Sequence, residues 1–209
     1  TFALILNHFN KITDYKNAVD DGIWEKSELT TLYDFPTDEL EGKTIGIVGY
    51  GHIGKRVATL AKAFDLNVLV HTRTKREEEG ITFVSLEELL EKSDIVSLHL
   101  PLTDESRLMF NKDKFALCKK KPYFVNTARG GLVNEDDLKD AVEKGVLSGA
   151  GLDALTVEPM RNCVLKGVKG ITITPHCAWA PMSTRIKLLN ITVDCIENWL
   201  NGTPINVVS

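Results

Sequence analysis

The segment Thr44-Ile-Gly-Ile-Val48-Gly-Tyr-Gly-His-Ile-Gly54 leaves the chain few conformations. A short β-branched run enters a G-x-G-x-x-G turn, and a helical segment from about His52 to Phe64 leaves it. Strand, glycine turn and helix in that order are the context a dinucleotide fingerprint requires. Gly49 permits the tight turn, Gly51 lets the backbone approach a pyrophosphate, and Gly54 lets the helix pack close to the strand. The helix N-terminus then offers N–H groups and partial positive charge to phosphates. Glycines also mark bare turns, so the weight of the motif lies in its position between strand and helix.

The rest of the chain repeats the alternation. Asn67–Val70, Asp94–Leu100, Tyr123–Asn126, Leu147–Leu152 and Ile171–Thr174 read as further strands. Helices are expected from Ser85, a capping box with Glu88, to about Lys92, from Lys112 to Cys118, and from Asn134 to Lys144. A last one runs from Arg185 to Asn201 and closes at Gly202. Continuous apolar strands alternating with helices indicate an α/β fold, a doubly wound parallel sheet of Rossmann type covered on both faces. Residues 1–42 do not follow the alternation and read as an N-terminal helical extension, a collar on the dinucleotide-binding domain at 43–181. Residues 182–209 form a C-terminal helix.

Composition narrows the function. With 25 Lys and Arg against 29 Asp and Glu the net charge is −4, and no basic face is concentrated enough for a nucleic-acid groove. No apolar run approaches the ~18 residues of a membrane helix. Cys118, Cys163, Cys177 and Cys195 form no Cys-x-x-Cys pair, so no zinc knuckle or thioredoxin-type site is written, and a reducing, cytoplasmic setting is expected.

The second strand ends Val70-His-Thr-Arg-Thr-Lys-Arg76, with Thr72 where NAD binders place an acid on the ribose. A carboxylate there would repel a 2′-phosphate, whereas Thr72 can donate a hydrogen bond and Arg73 a charge-assisted one, with Lys75 or Arg76 assisting. NADP is favoured over NAD on this ground. The other reading is a solvated basic loop.

Two later stretches end strands on the same side of the sheet. In Val125-Asn-Thr-Ala-Arg-Gly-Gly131, Arg129 is suited to a substrate carboxylate through two parallel N–H bonds, or is an ordinary surface arginine. Gly149-Ala-Gly-Leu-Asp-Ala154 leads to Glu158-Pro159 and Thr174-Pro-His176. A histidine paired with a carboxylate is the usual general acid/base unit, although a lone His176 would be structural.

Taken together, the glycine turn, Asn-Thr-Ala-Arg-Gly-Gly, Gly-Leu-Asp-Ala-x-x-x-Glu-Pro and Thr-Pro-His resemble the D-isomer-specific 2-hydroxyacid dehydrogenases. Ser97-Leu-His-Leu-Pro-Leu-Thr103 fits the same family, and the likeness runs from Phe2 to Val208. The resemblance implies that Arg129 binds the substrate carboxylate and 2-oxo oxygen. It implies that His176 protonates that oxygen, and that Glu158 hydrogen-bonds His176. Around the cofactor it implies His52 and Ile53 beside Gly49, Gly51 and Gly54 at the pyrophosphate, and Thr72 and Arg73 at the adenosine ribose. His99, Pro101, Thr127, Ala128, Asp153 and Ala178 complete the expected cofactor set, with Asp153 near the nicotinamide. No metal is expected.

His176-Cys-Ala-Trp-Ala180 is similar to the glycerate dehydrogenase, or hydroxypyruvate reductase, group. Trp179 there is a pocket wall or plain packing. The expected activity is hydride transfer between NADP or NAD and a small 2-hydroxy or 2-oxo acid, hydroxypyruvate or glyoxylate first, in a homodimer. Phosphoglycerate or lactate oxidation, and a dinucleotide-sensing corepressor, stay open as alternatives. Family chains begin with a small domain forming the other cleft wall. The present sequence is therefore expected to be a fragment that binds cofactor and turns over poorly.

Overall fold

The computed structural model describes residues 1–74 and 77–207, so Lys75 and Arg76 lie outside the described residues, as does Val208. The chain divides into two compact units, Thr1–Pro175 and His176–Ser209.

The first unit is built on seven strands: β1 Thr44–Val48, β2 Asn67–His71, β3 Thr82–Phe83, β4 Ile95–Leu98, β5 Tyr123–Asn126, β6 Gly149–Leu152 and β7 Ile171–Ile173. Their order across the sheet is β3-β2-β1-β4-β5-β6-β7, and every neighbouring pair is parallel. The order reverses between β1 and β4, which is where doubly wound sheets open a crevice at the carboxyl ends of their strands.

Side chains alternate to the two faces, and each face carries helices. Ile45 and Ile47 of β1, Val68 and Val70 of β2 and Val125 of β5 pack with α3 (His52–Ala63) through Val57, Ala58 and Ala61. Val96 and Leu98 of β4, Phe124 of β5 and Leu152 of β6 pack with α4 (Leu86–Lys92) through Leu89 and Leu90, and with α6 (Glu135–Glu143) through Leu138. This is the expected doubly wound α/β sandwich.

The opening segment forms α1 (Phe2–Asn10) and α2 (Ile12–Asp20), separated by Lys11 in the left-handed region at φ 52°. No side chain caps α1, so burial holds it, at about 1.5–3 kcal/mol for each of Leu4, Ile5 and Phe9. α1 lies on β5 and β6, and Gly151 explains its close approach. A Cβ at Gly151 would stand 2.9 Å from the Leu4 Cβ and 2.5 Å from the Tyr123 hydroxyl. The His8 ring stacks on Tyr123 with centroids 3.9 Å apart, and its Nε2 is 3.1 Å from the Ser148 hydroxyl. Burial, with Lys11 nearby, brings the His8 pKa down to about 4.

Several boundaries differ from expectation. β4 stops at Leu98, leaving His99 to Pro101 as loop, with the His99 N–H still donating to the Val48 carbonyl at 2.7 Å. α5 (Lys112–Phe115) is one turn long and tightens into a 3-residue bond from Cys118 to Phe115. Ser85 caps α4 by accepting from the Glu88 N–H at 3.1 Å, but the Glu88 carboxylate pairs with Lys92 at 2.7 Å. Asn134 caps α6 as expected, accepting from the Asp137 N–H. Residues Thr82 and Phe83 add an edge strand that the pattern did not announce.

In the second unit α7 (Met182–Leu200) starts three residues before the expected Arg185, directly after Pro181. Gly202, at φ 74°, ends it, with its N–H on the Trp199 carbonyl. Its apolar side chains, among them Leu188, Leu189, Val193 and Trp199, are exposed. Among the described residues no helix is long and apolar enough to cross a membrane.

Candidate functional site

Gly49 leaves β1 at φ 95°, a conformation open to glycine, and a Cβ there would lie 2.4 Å from the His99 carbonyl oxygen. Gly54 is held just as tightly, since its Cβ would meet the Gly49 oxygen at 2.1 Å. Gly51 is different: nothing lies within 4 Å of where its Cβ would be. The turn is thus pinned by its first and third glycines and open at its second. Gly51 is also the N-cap of α3 and offers no side chain to the first helical N–H groups, so that end keeps its capacity for an external acceptor. His52 is exposed and Ile53 is 67% exposed at the same turn.

A cavity of about 300 Å³ opens over this turn, at the point where the strand order reverses. Three strand ends wall it: Val48 to Gly51 after β1, His71 to Arg73 after β2, and His99 to Pro101 after β4. Gly49, Gly51, Thr72, Arg73, His99 and Pro101 of the expected cofactor set are therefore gathered in one place. The His99 ring is held by Ser97, Nε2 to Oγ at 2.8 Å. Burial lowers its pKa to about 4, so it lines the cavity as a neutral ring at pH 7.

The far wall holds residues that the sequence reading left without a role. Ser106, buried, donates to the Pro101 carbonyl at 2.8 Å and accepts from the Thr103 N–H at 2.8 Å. The signal was the Thr103-Asp-Glu-Ser106 spacing right after Pro101, which suits a hydroxyl closing a turn.

The turns after β5 and β6 share the carboxyl edge of this parallel sheet. Asn126 is fully buried, and its side chain donates to the Arg129 carbonyl at 2.8 Å and accepts from the Ala128 N–H at 3.0 Å. Its own carbonyl accepts from the Asp153 N–H at 2.9 Å. One amide therefore shapes the turn carrying Thr127, Ala128 and Arg129 and fixes it to the strand carrying Asp153. Gly130 completes the turn, because a Cβ there would lie 1.9 Å from the Leu155 backbone carbon. The Arg129 guanidinium is exposed, with Nη1 donating to the Ala128 carbonyl at 2.7 Å. The Thr127 and Thr1 hydroxyls are 3.0 Å apart. Asp153 is 4% exposed and accepts from the Thr174 hydroxyl. The Glu158 carboxylate accepts from the Leu155 N–H at 2.8 Å.

His176 and Ala178 belong to the second unit. His176 is half-buried with φ 51°, and Trp179 beside Ala178 is 51% exposed. Among the described residues no group of three or more His, Cys, Asp or Glu side chains could hold a metal ion.

Residues 2–178 match the family described as D-isomer specific 2-hydroxyacid dehydrogenase, NAD binding domain. A hydroxypyruvate reductase of Blautia hydrogenotrophica is 38% identical over 211 residues, covering 99% of this chain and 66% of that protein. Among solved structures, an acyclic imino acid reductase in complex with NADPH and D-Arg superposes with a TM-score of 0.90 at 32% identity, over 100% of this chain and 66% of the other. A D-lactate dehydrogenase of Aquifex aeolicus complexed with NAD and lactic acid gives a TM-score of 0.86 at 31% identity, over 97% and 65%. The chain spans a little under two thirds of the length of each.

Proposed function

The chain belongs to the D-isomer-specific 2-hydroxyacid dehydrogenases, and from that premise we propose that it is the nucleotide-binding part of a reductase of small 2-oxo acids, hydroxypyruvate or glyoxylate. The observation that carries this reading is the cavity at the strand reversal, floored by a glycine turn pinned at Gly49 and Gly54 and open at Gly51. That opening fits a dinucleotide: a pyrophosphate can approach the Gly51 backbone, and α3 faces it with uncapped N–H groups. His52 and Ile53 belong to this end of the site.

When bound, the nicotinamide cofactor supplies or takes up the hydride. The protein's own part is binding, orientation and one proton. Arg129, on the turn shaped by Asn126, holds the substrate carboxylate and draws charge toward the 2-oxo oxygen. His176 gives that oxygen its proton and takes it back in the reverse direction, and Glu158 is the carboxylate partner of this acid. Thr127, Ala128, Asp153 and Ala178 are assigned to the nicotinamide end, where the buried Asp153 offers a carboxylate oxygen to an amide N–H. Hydroxypyruvate and glyoxylate are placed first because the His176-to-Ala180 segment resembles glycerate dehydrogenases and because of the Blautia relative.

NADPH is assigned ahead of NADH. Thr72 and Arg73 line the cavity at the adenosine end, and neither is an acid that would repel a 2′-phosphate. Introducing one by Thr72→Asp is expected to reverse the preference, lowering the NADPH-to-NADH affinity ratio at least tenfold. An unchanged ratio would remove the 2′-phosphate reading. We further assign a homodimer in a reducing cytoplasm, supported by exposed Ile12, Val19, Ile23 and Trp24 in and after α2.

The deciding experiment follows NADPH and NADH oxidation by the full-length protein against hydroxypyruvate, glyoxylate, pyruvate and phosphohydroxypyruvate. Fast turnover of hydroxypyruvate or glyoxylate is expected. Bound cofactor with no turnover of any of the four would refute the reductase assignment in favour of a sensor.

A further inference from the structure

Tyr50 is the second residue of the glycine turn, and its side chain is 7% exposed. Its hydroxyl donates to the Glu78 carboxylate at 2.9 Å, 28 residues along the chain. Its ring meets Phe83 of β3 edge-on, with centroids 5.5 Å apart at 89°, and the Lys55 ammonium lies 5.7 Å from the ring centroid.

Glu78 sits on the return path from Thr72 and Arg73 to β3. A tight turn brings the chain round there, with Gly80 at φ 74° and the Ile81 N–H on the Glu78 carbonyl at 3.1 Å. The Lys62 ammonium donates to the Glu79 carbonyl at 3.3 Å and ties the same turn to α3. Glu78, five positions beyond Arg73 in the sequence, is thus held by a hydrogen bond that starts inside the glycine turn.

We propose that Tyr50 and Glu78 are positioning residues whose hydrogen bond sets where the Thr72–Arg73 end stands relative to the glycine turn, and so sets affinity for an adenosine 2′-phosphate. This deepens the cofactor reading above and rests on it. The bond has a charged acceptor and a buried donor, the class whose loss is most felt. A misplaced Arg73 loses a directional contact with the 2′-phosphate, whereas the adenosine 5′-phosphate meets the glycine turn directly.

The test measures binding of 2′,5′-ADP and of 5′-AMP to the 209-residue chain by calorimetry, alongside its melting temperature. Tyr50→Phe keeps the ring and removes the donor, Glu78→Ala removes the acceptor, and Glu78→Gln keeps an acceptor oxygen while removing the charge. Glu78 is exposed, so the two Glu78 variants decide the matter if Tyr50→Phe does not fold. Tyr50→Phe and Glu78→Ala are expected to weaken 2′,5′-ADP about tenfold and 5′-AMP less than twofold, with Glu78→Gln, which keeps a weaker neutral bond, falling between Glu78→Ala and wild type. Unchanged 2′,5′-ADP affinity, or equal loss of both nucleotides, overturns the proposal. Tighter 2′,5′-ADP in both Glu78 variants also overturns it, since Glu78 would then act by repulsion. If the wild-type chain binds neither 2′,5′-ADP nor NADPH, the cofactor reading itself fails, a result distinct from the others.

Discussion

Gly51→Val is expected to leave the chain folded and to weaken NADPH binding about 100-fold or more, a loss of roughly 2.7 kcal/mol. The two halves of this expectation come from one local geometry. Gly51 has φ −80° and ψ −162°, an extended conformation that valine adopts readily. Nothing lies within 4 Å of the added Cβ, so no packed group has to move. The space a valine would fill is the space a pyrophosphate must enter to reach the backbone. Gly49 and Gly54 cannot separate folding from binding in this way, because side chains there strike the backbone at 2.4 and 2.1 Å. Circular dichroism melting and NADPH fluorescence titration check the two halves independently. Wild-type affinity in a normally folded Gly51→Val would mean that no phosphate approaches this turn.

The second expectation concerns His176 in the full-length protein. Replacing it is expected to lower kcat about 10²- to 10⁴-fold while NADPH affinity stays within twofold, the pattern of a lost proton donor. The backbone at φ 51° calls for a controlled substitution. Alanine is strained in the left-handed region, whereas asparagine visits it with little cost. His176→Asn therefore removes the titratable ring while keeping the turn, and His176→Ala adds the backbone effect. Stopped-flow turnover and cofactor titration on both variants separate the two contributions. Parallel losses of affinity and rate in His176→Asn would make the histidine a structural residue.

The parts of this molecule legible in the sequence are those written in short, contiguous patterns. Thr44 to Gly54 announces strand, turn and helix because each glycine answers a steric demand within a few residues. Asn134 announces the start of α6 because a cap is likewise local. The residues that escaped depend on distant partners. Thr82 and Phe83 form a strand only because β2 offers them an edge, and two residues carry no period. Lys11 breaks the opening segment through a backbone conformation that lysine rarely adopts. Asn126 stands inside the quoted Asn-Thr-Ala-Arg motif, yet its work is visible only once the turn folds back to bring the Ala128 N–H and Arg129 carbonyl to its amide. Thr72 was legible as a missing acid, but the tether from Tyr50 to Glu78 was not, since nothing in either residue names the other.

The two neutral rings, His8 stacked on Tyr123 and His99 lining the cavity, set an acid limit for the unit that holds them. Each titrates near 6.5 in an unfolded chain and at about 4 in the folded one. Between those values the unfolded chain takes up protons that the folded chain refuses. The two rings therefore cost no stability above about pH 6.5, and the loss they cause grows as the pH drops until it levels off near 4. Two such rings give a ceiling of about 2.7 kcal/mol per pH unit in that window, less for His8, which water reaches in part. Urea midpoints are expected to decline from pH 7 to pH 5, and His99→Asn is expected to flatten that decline. Mild acidification would then loosen the nucleotide-binding unit before most of its carboxylates have changed charge, from the core beneath α1 and from the cavity wall together.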